Sequence, residues 1–229
     1  IVVSMNDKNP QFMSLYRVNT RIGERTLMEE NDGYLGYTID DDWNVRGRAA
    51  MNEEGELVTE LRDLGSDEWY HFMTIPSDEM MTTTISGFSK DGTKLYGTSS
   101  IGRDKAALVW WEPTKGGAES PHLVFESDKA DVSGGIANPD TYEPEAVTVD
   151  YLRPEWHVRS DAIAPDITAL GKLDQGDFSI GSRTKDNTKW IVAYNRDNGP
   201  PLYWLWDRDT QEGTFLFTTL PALEGQTFA

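Results

Sequence analysis

Three stretches of this chain read as one object written three times. Leu15-Tyr16-Arg17-Val18, a turn closed by Gly23, and Arg25-Thr26-Leu27-Met28 form two short strands joined by a hairpin. Leu108-Val109-Trp110-Trp111, the turn Pro113-Thr114-Lys115-Gly116-Gly117, and His122-Leu123-Val124-Phe125 repeat it. So do Leu202-Tyr203-Trp204-Leu205-Trp206, Asp207-Arg208-Asp209, Gly213, and Thr214-Phe215-Leu216-Phe217. A recurring unit of strands without long helices implies radial stacking of four-stranded blades. A fourth copy runs from Leu57-Val58-Thr59-Glu60 to Trp69-Tyr70-His71-Phe72. From Leu15 to Leu57 is 42 residues, from Leu57 to Leu108 is 51, and from Leu108 to Leu202 is 94, twice 47. Propeller repeats recur at roughly 40 to 50 residues, so the double gap hides a degenerate blade, expected within Asp131–Gly176.

The remaining strands follow from alternation and turn punctuation. Ile1–Met5 is one. Tyr34–Ile39 and Asn44–Ala50 flank Asp40-Asp41-Asp42. Thr84–Phe88 and Lys94–Ser99 flank Lys90-Asp91-Gly92, an Asp-Gly hairpin turn. Phe178–Ser182 and Lys189–Asn195 flank Lys185-Asp186-Asn187, the same device with Asn in place of Gly. Val147–Tyr151 and Glu155–Val158 are two more strands. Asp161–Leu173 departs from the pattern. Ile163, Ile167, Leu170 and Leu173 recur at helical spacing, with Pro165 near the start and Asp166 in the first turn. The expected place for this helix is the surface, as an excursion between blade strands.

The fold class is therefore all-β, a β-propeller of about four and a half blades with one short helical excursion. Residues 31–75, 82–127, 130–175 and 176–219 each supply a blade, and residues 1–30 supply only the last three strands of another. A propeller normally closes its ring, because an open end bares a blade face. The tail from Thr218 to Ala229 offers little to supply the missing strand. The expectation is a partial propeller spanning residues 1–229, with association through its open blade edges.

Composition narrows the function classes. Of 229 residues, 39 are acidic and 21 are Lys or Arg, a net charge of −18. Polyanion binding needs clustered cations, so neither nucleic acid nor an anionic membrane is the expected partner. The chain has no cysteine, hence no disulfide framework and no thiol chemistry. No run approaches 18 apolar residues, so no membrane span is expected. The compartment stays open between cytoplasm and periplasm.

Catalytic motifs are sparse. A nucleophile elbow needs Gly-x-Ser-x-Gly on a strand-to-helix turn. The nearest string, Ser86-Gly87-Phe88-Ser89-Lys90-Asp91-Gly92, lacks the second glycine and lies on a β-turn. His71, His122 and His157 form no His-x-x-x-His or His-x-His pair. Each falls in a strand beside aromatics, which suits a structural or rim histidine. Asp40-Asp41-Asp42 lacks the ligand spacing and glycine of a calcium loop, and a solvated turn is the simpler reading. Arg103 and Asp104 read as a loop ion pair bridging adjacent blades. The Trp110-Trp111 and Tyr203–Trp206 rings read as blade packing. No catalytic, metal-binding or cofactor-binding residue is assigned.

A resemblance adds to this. Val2-Val3-Ser4-Met5-Asn6-Asp7-Lys8-Asn9-Pro10, followed by Leu15-Tyr16-Arg17-Val18-Asn19 and Gly23-Glu24, resembles the propeller of bacterial prolyl oligopeptidase-family serine peptidases of the acylaminoacyl- or dipeptidyl-peptidase kind. Tyr34-Leu35-Gly36-Tyr37 through Asp40 to Val45-Arg46 is similar to their next blade. So are Gly102-Arg103-Asp104 before Ala107-Leu108-Val109, and Ala146-Val147 followed by Arg153-Pro154-Glu155-Trp156. The likeness runs from about Val2 to about Leu223. It implies a non-catalytic propeller that gates and positions peptide substrates for an α/β-hydrolase domain of the same polypeptide, outside this chain. Two other classes stay open. One is an autonomous small propeller that binds protein or glycan. The other is a five-bladed glycosidase with paired carboxylates across a cavity, which no motif supports.

Overall fold

The computed structural model describes residues 1–223 and Gln226. It divides into two compact units, Ile1–Val132 and Ser133 onward. Unit 1 holds three meander sheets. The first is β1 (Val2–Met5), β2 (Ser14–Val18) and β3 (Arg25–Glu29). The second is β4 (Gly36–Ile39), β5 (Val45–Met51), β6 (Leu57–Leu61) and β7 (Tyr70–Ile75). The third is β8 (Thr84–Phe88), β9 (Leu95–Ser99), β10 (Ala107–Trp111) and β11 (His122–Phe125). Unit 2 holds the sheet β12 (Val132–Ala137), β13 (Pro144–Tyr151) and β14 (Arg153–Val158), then the helix α1 (Ala164–Leu173). Its second sheet is β15 (Asp177–Arg183), β16 (Lys189–Asn195), β17 (Leu202–Asp207) and β18 (Glu212–Thr218). Five small sheets and one helix make the chain all-β and of the β-propeller class. Beyond β18, Pro221–Leu223 form a 3-10 turn, and the expectation for the tail beyond it falls largely outside the described residues.

The two hairpins read as one device share one geometry. Ser89 Oγ and Thr93 Oγ1 donate to Asp91 Oδ1 at 2.7 and 2.8 Å, and the Thr93 N–H adds a third bond at 3.1 Å. Around Asp186 the same roles fall to Thr184 Oγ1 (2.5 Å), Thr188 Oγ1 (2.9 Å) and the Thr188 N–H (3.2 Å). The following residue must turn left-handed, and Gly92 (φ 69°) and Asn187 (φ 56°) are residue types that tolerate this. The Ser89 hydroxyl, then the Thr93 donors, hold the Asp91 carboxyl down at about 2.

Side-chain burial follows the pleat. In unit 1, Leu61, Phe72, Met73 and Ile75 of the second sheet pack on Phe88, Leu95, Ala107, Val109 and Trp111 of the third. Gly97 leaves room for this. A Cβ there would stand 2.0 Å from the Thr84 carbonyl oxygen and 2.8 Å from the Trp111 ring. In unit 2 the core is Ala146, Ile163, Ile167, Leu170, Trp190, Val192, Tyr194 and Trp206.

That core corrects the expectation for the helix. Its Ile167 and Leu170, with Ile163 just before it, are buried in one cluster with residues of β16 and β17, so it is a structural layer rather than a surface excursion. It also follows the last strand of its sheet instead of interrupting one, where a fourth strand would lie. Pro165 sits in its first turn, and Asp161 lies outside it without capping it. The Asp166 carboxylate turns inward and is 2% exposed. It accepts hydrogen bonds from Trp206 Nε1 (2.8 Å), Arg208 Nε (3.0 Å) and Gln211 Nε2 (2.8 Å). Arg208 also reaches the carbonyls of Asn187 and Ala162, each at 3.0 Å, and its guanidinium lies 4.7 Å over the Trp190 ring.

Four of the five sheets are kinked at the pair that leads to the last strand, and β13–β14 alone runs in unbroken register there. β-bulges interrupt β2–β3 at Leu15/Tyr16, β6–β7 at Thr59/Glu60 and β17–β18 at Tyr203/Trp204, and β10–β11 carries one at Leu108/Val109.

Two predictions follow the turns and the helix. The Asp91 carboxyl is depressed in the fold, so its contribution is present above its ordinary value of 3.8 and is lost as pH falls through about 2. The Thr93 amide resonance should titrate with that low midpoint, and a midpoint near 4 would contradict the geometry. Asp166→Ala strands the largely buried Arg208 and should lower stability by about 3–5 kcal/mol, read from the urea midpoint. A loss no larger than that of an exposed aspartate such as Asp209→Ala would remove Asp166 from the centre of the unit.

Candidate functional site

The residues weighed for chemistry are mostly committed to structure. Ser89 is buried, and its hydroxyl is held by Asp91 while it accepts from the Lys94 N–H (2.9 Å). The Asp91 oxygen that takes this bond also accepts from the Thr93 N–H and hydroxyl, so Ser89 is a turn-closing hydroxyl. His71 lies on β7 with Nε2 2.9 Å from Thr74 Oγ1. His122 on β11 stacks on Trp110, centroids 3.8 Å apart and planes 7° apart. His157 on β14 pairs opposite Val147 of β13. The three sit on three different sheets. Among the described residues, no group of three or more His, Cys, Asp or Glu could hold a metal ion.

Asp40 spends its carboxylate on the Asn44 backbone N–H (2.9 Å) and side-chain amide, which closes the β4–β5 turn. Asp41 pairs with Lys90 of the third sheet at 2.5 Å. Arg103 and Asp104 do not form the bridge expected between blades. Arg103 reaches Glu126 (2.5 Å), tying the β9–β10 loop to the end of β11 in its own sheet, and Asp104 pairs with the adjacent Lys105 (2.5 Å). Short neighbours capture both charges before a longer reach can form.

On β10 strand alternation separates Trp111 from Trp110, whereas on β17 Trp204 and Trp206 share the core-facing side and Trp206 is the deeper of the two. Trp111, Trp190 and Trp206 are fully buried, whereas Trp110, Tyr203 and Trp204 are partly exposed. Two clefts accompany them. In unit 1, a cleft of about 320 Å³ lies between the β4–β5 turn and the β6–β7 loop, edged by Trp43, Arg62 and Leu64. Trp43 adopts φ 71°, a strained backbone for a bulky residue. In unit 2, a cleft of about 270 Å³ opens between the two sheets over Trp156 and Phe178, stacked at 5.1 Å. Asp150, Asp177 and Ser179 edge it, with Asp177 held by Arg153 at 3.0 Å.

The feature least visible in the sequence is a guanidinium–aromatic ladder in unit 1. Arg48 lies 4.2 Å from both the Tyr34 and Trp69 rings, and Arg62 lies 4.4 Å from Trp69. Glu60 neutralises Arg48 at 2.7 Å, and Glu29 of the first sheet neutralises Arg62 at 3.0 Å. Beside it, burial and then the charge of Glu29 push the Tyr37 hydroxyl up to about 12. Arginine every second residue along β5 (Arg46, Arg48) was the available signal, because alternation puts both on one face.

Among the described residues this geometry provides packed blades, partly exposed rings and the two clefts. The class so defined is a β-propeller region. No protein-family model matches the chain. Over 99% of its length the chain is 38% identical to dipeptidyl aminopeptidase BIII of Pseudoxanthomonas mexicana, of which it covers 32%. It is 23% identical to dipeptidyl peptidase family member 6 of Caenorhabditis elegans, again over 99% of this chain and 32% of that protein. Dipeptidyl peptidase 4 of Porphyromonas gingivalis matches it in structure with a TM-score of 0.53 at 12% identity, over 98% of this chain and 35% of that one. At that identity the likeness is one of fold. The resemblance carried by the sequence motifs therefore holds: the chain is homologous to a region of dipeptidyl peptidases, and it spans about a third of the length of the curated relatives it matches. No helix among the described residues is long and apolar enough to cross a membrane.

Replacing Arg48 by Lys keeps the charge but loses the planar contact with two rings, and should cost about 1–2 kcal/mol. Thermal unfolding of Arg48→Lys beside the native chain measures this. An unchanged midpoint would mean that the ladder contributes only its ion pairs.

Proposed function

We propose that this chain is the propeller region of a serine peptidase, gating and positioning peptide substrates for an α/β-hydrolase domain elsewhere on the same polypeptide. One observation carries the reading: 38% identity across 99% of this chain to a dipeptidyl aminopeptidase nearly three times as long. In this division of labour the propeller limits access and the nucleophile lies elsewhere on the polypeptide. Mechanism in this region means exclusion by size and orientation by rigid loops, without covalent chemistry. Its stiffness comes from buried, fully partnered side chains such as Asp166, and stiffness is what positioning requires.

The test is to express the polypeptide that carries this chain and follow release of dipeptides from the amino termini of unblocked peptides. Dipeptide release that a serine-directed acylating inhibitor abolishes, and that favours short peptides over folded proteins, is the expected result. A polypeptide with no hydrolase domain and no such activity would favour a binding propeller instead.

A further inference from the structure

Four hairpin turns among the described residues place a left-handed residue fourth in the turn, its N–H bonded to the carbonyl of the first. Gly55 donates to Asn52 (3.2 Å), Gly92 to Ser89 (2.9 Å), Asn187 to Thr184 (2.9 Å) and Trp43 to Asp40 (3.1 Å). Their φ angles are 79°, 69°, 56° and 71°. Glycine and asparagine take that backbone readily, whereas a bulky residue takes it at a cost. Trp43 is the exception, and its indole is left 39% exposed instead of entering the core. Strain held at an exposed ring points to a use for that ring outside the fold.

Trp43 lines the unit 1 cleft of about 320 Å³, a volume within the range of small-ligand sites, about 300–1,000 Å³. The loops on either side are held in place. The Asp40 carboxylate accepts the Asn44 N–H at 2.9 Å, the Ser66 N–H bonds the Asp63 carbonyl at 3.0 Å, and the Tyr70 hydroxyl donates to the Pro113 carbonyl at 2.9 Å. Two guanidinium groups line the cleft and are anchored from behind, Arg62 on the Val45 carbonyl (2.6 Å) and Arg46 on the Gly92 carbonyl (3.1 Å). Arg46 also keeps a buried Nε with no acceptor among the described residues. Asp67, on the facing loop, is exposed and engages no hydrogen bond or ion pair among them. The cleft thus offers a flat ring, a donor short of an acceptor and an unengaged acceptor.

We propose that this cleft is a saccharide subsite in which Trp43 is the platform for one neutral pyranose ring. The inference does not depend on the peptidase function proposed above. The C–H face of a pyranose is apolar and suits the negative face of an indole. Its hydroxyls both accept and donate, so they can answer Arg46 and Asp67 together. Charge selects a neutral ligand from both sides. A cation would meet Arg46 and Arg62, with Arg17 already 5.9 Å from the Trp43 ring. An anion would meet Asp63 and Asp67 in a chain of net charge −18. A proline-rich segment would also stack on the ring, but with few N–H groups it leaves Asp67 unanswered.

Saturation-transfer NMR on the polypeptide that carries this chain tests the assignment, with maltotriose, cellotriose, chitotriose and a proline-rich peptide as separate probes. The expected result is transfer to at least one trisaccharide, strongest at the ring C–H protons. Trp43→Gly should weaken that binding about tenfold or more without lowering the thermal midpoint, because glycine is relaxed at φ 71°. Trp43→Tyr, which keeps a ring, should retain most of it, and Asp67→Ala should weaken it with the midpoint unchanged. Transfer to none of the three sugars, binding of the peptide alone, or equal sugar affinity in Trp43→Gly would each overturn the subsite. So would a midpoint that falls by several degrees in Trp43→Gly, since the ring would then be part of the fold's own packing.

Discussion

A sheet of three or four strands, each four to eight residues long, buries too little on one face to persist alone in water. Each blade here is stable only because a neighbour covers it, and the contacts between faces govern everything else. Three chemistries do this work. Between the second and third sheets of unit 1 the contact is aliphatic and aromatic, centred on Leu61, Leu95 and Trp111. Between the first and second it is polar, through Arg62 and Glu29 alongside the Arg48 ladder. In unit 2 it is aromatic and organised around one buried carboxylate, Asp166, which satisfies an indole, a guanidinium and an amide together. Buried charge of that kind adds little net stability, but it permits few alternative packings.

The same economy appears in the arginine staples. Arg46 donates to the Gly92 carbonyl at 3.1 Å, Arg183 to that of Ala137 at 2.9 Å and Arg208 to that of Ala162 at 3.0 Å, each across 46 residues. The repeat length visible as spacing between hairpins is thus also the span of single hydrogen bonds. Burial lowers the affinity of the Arg183 guanidinium for its proton, with Glu145 opposing that effect. Such a staple is useful only where a carbonyl is waiting for it.

Much of this was legible in the residues because propeller signals are local. The Asp91 and Asp186 turns were readable as one device, since a short polar residue on each side of the aspartate is all the geometry requires. What escaped depends on tertiary partners. Asp166, in a first helical turn, looks like a surface acid placed for the helix dipole, and nothing local reveals that Trp206 and Gln211 converge on it. Helical spacing of Ile163, Ile167 and Leu170 gave the element but not its burial, because an amphipathic stripe does not say what it packs against. Arg103 went to Glu126 rather than to another blade, since reach and competition between nearby charges are three-dimensional facts. Exposed methionines such as Met81 were silent in the sequence for the opposite reason: an apolar residue in a strand-rich chain reads as core until a structure leaves it bare.

The bulged last strands carry a consequence for the molecule in a crowded solution. Thr214-Phe215-Leu216-Phe217-Thr218 is uncharged, rich in β-formers and partly exposed, a composition that invites stacking of like strands into fibres. The kink at Tyr203/Trp204 puts Leu216 out of register with β17 and spoils the straight ladder that an incoming strand would copy. A protein can then keep an apolar rim strand for packing without offering a template for polymerisation.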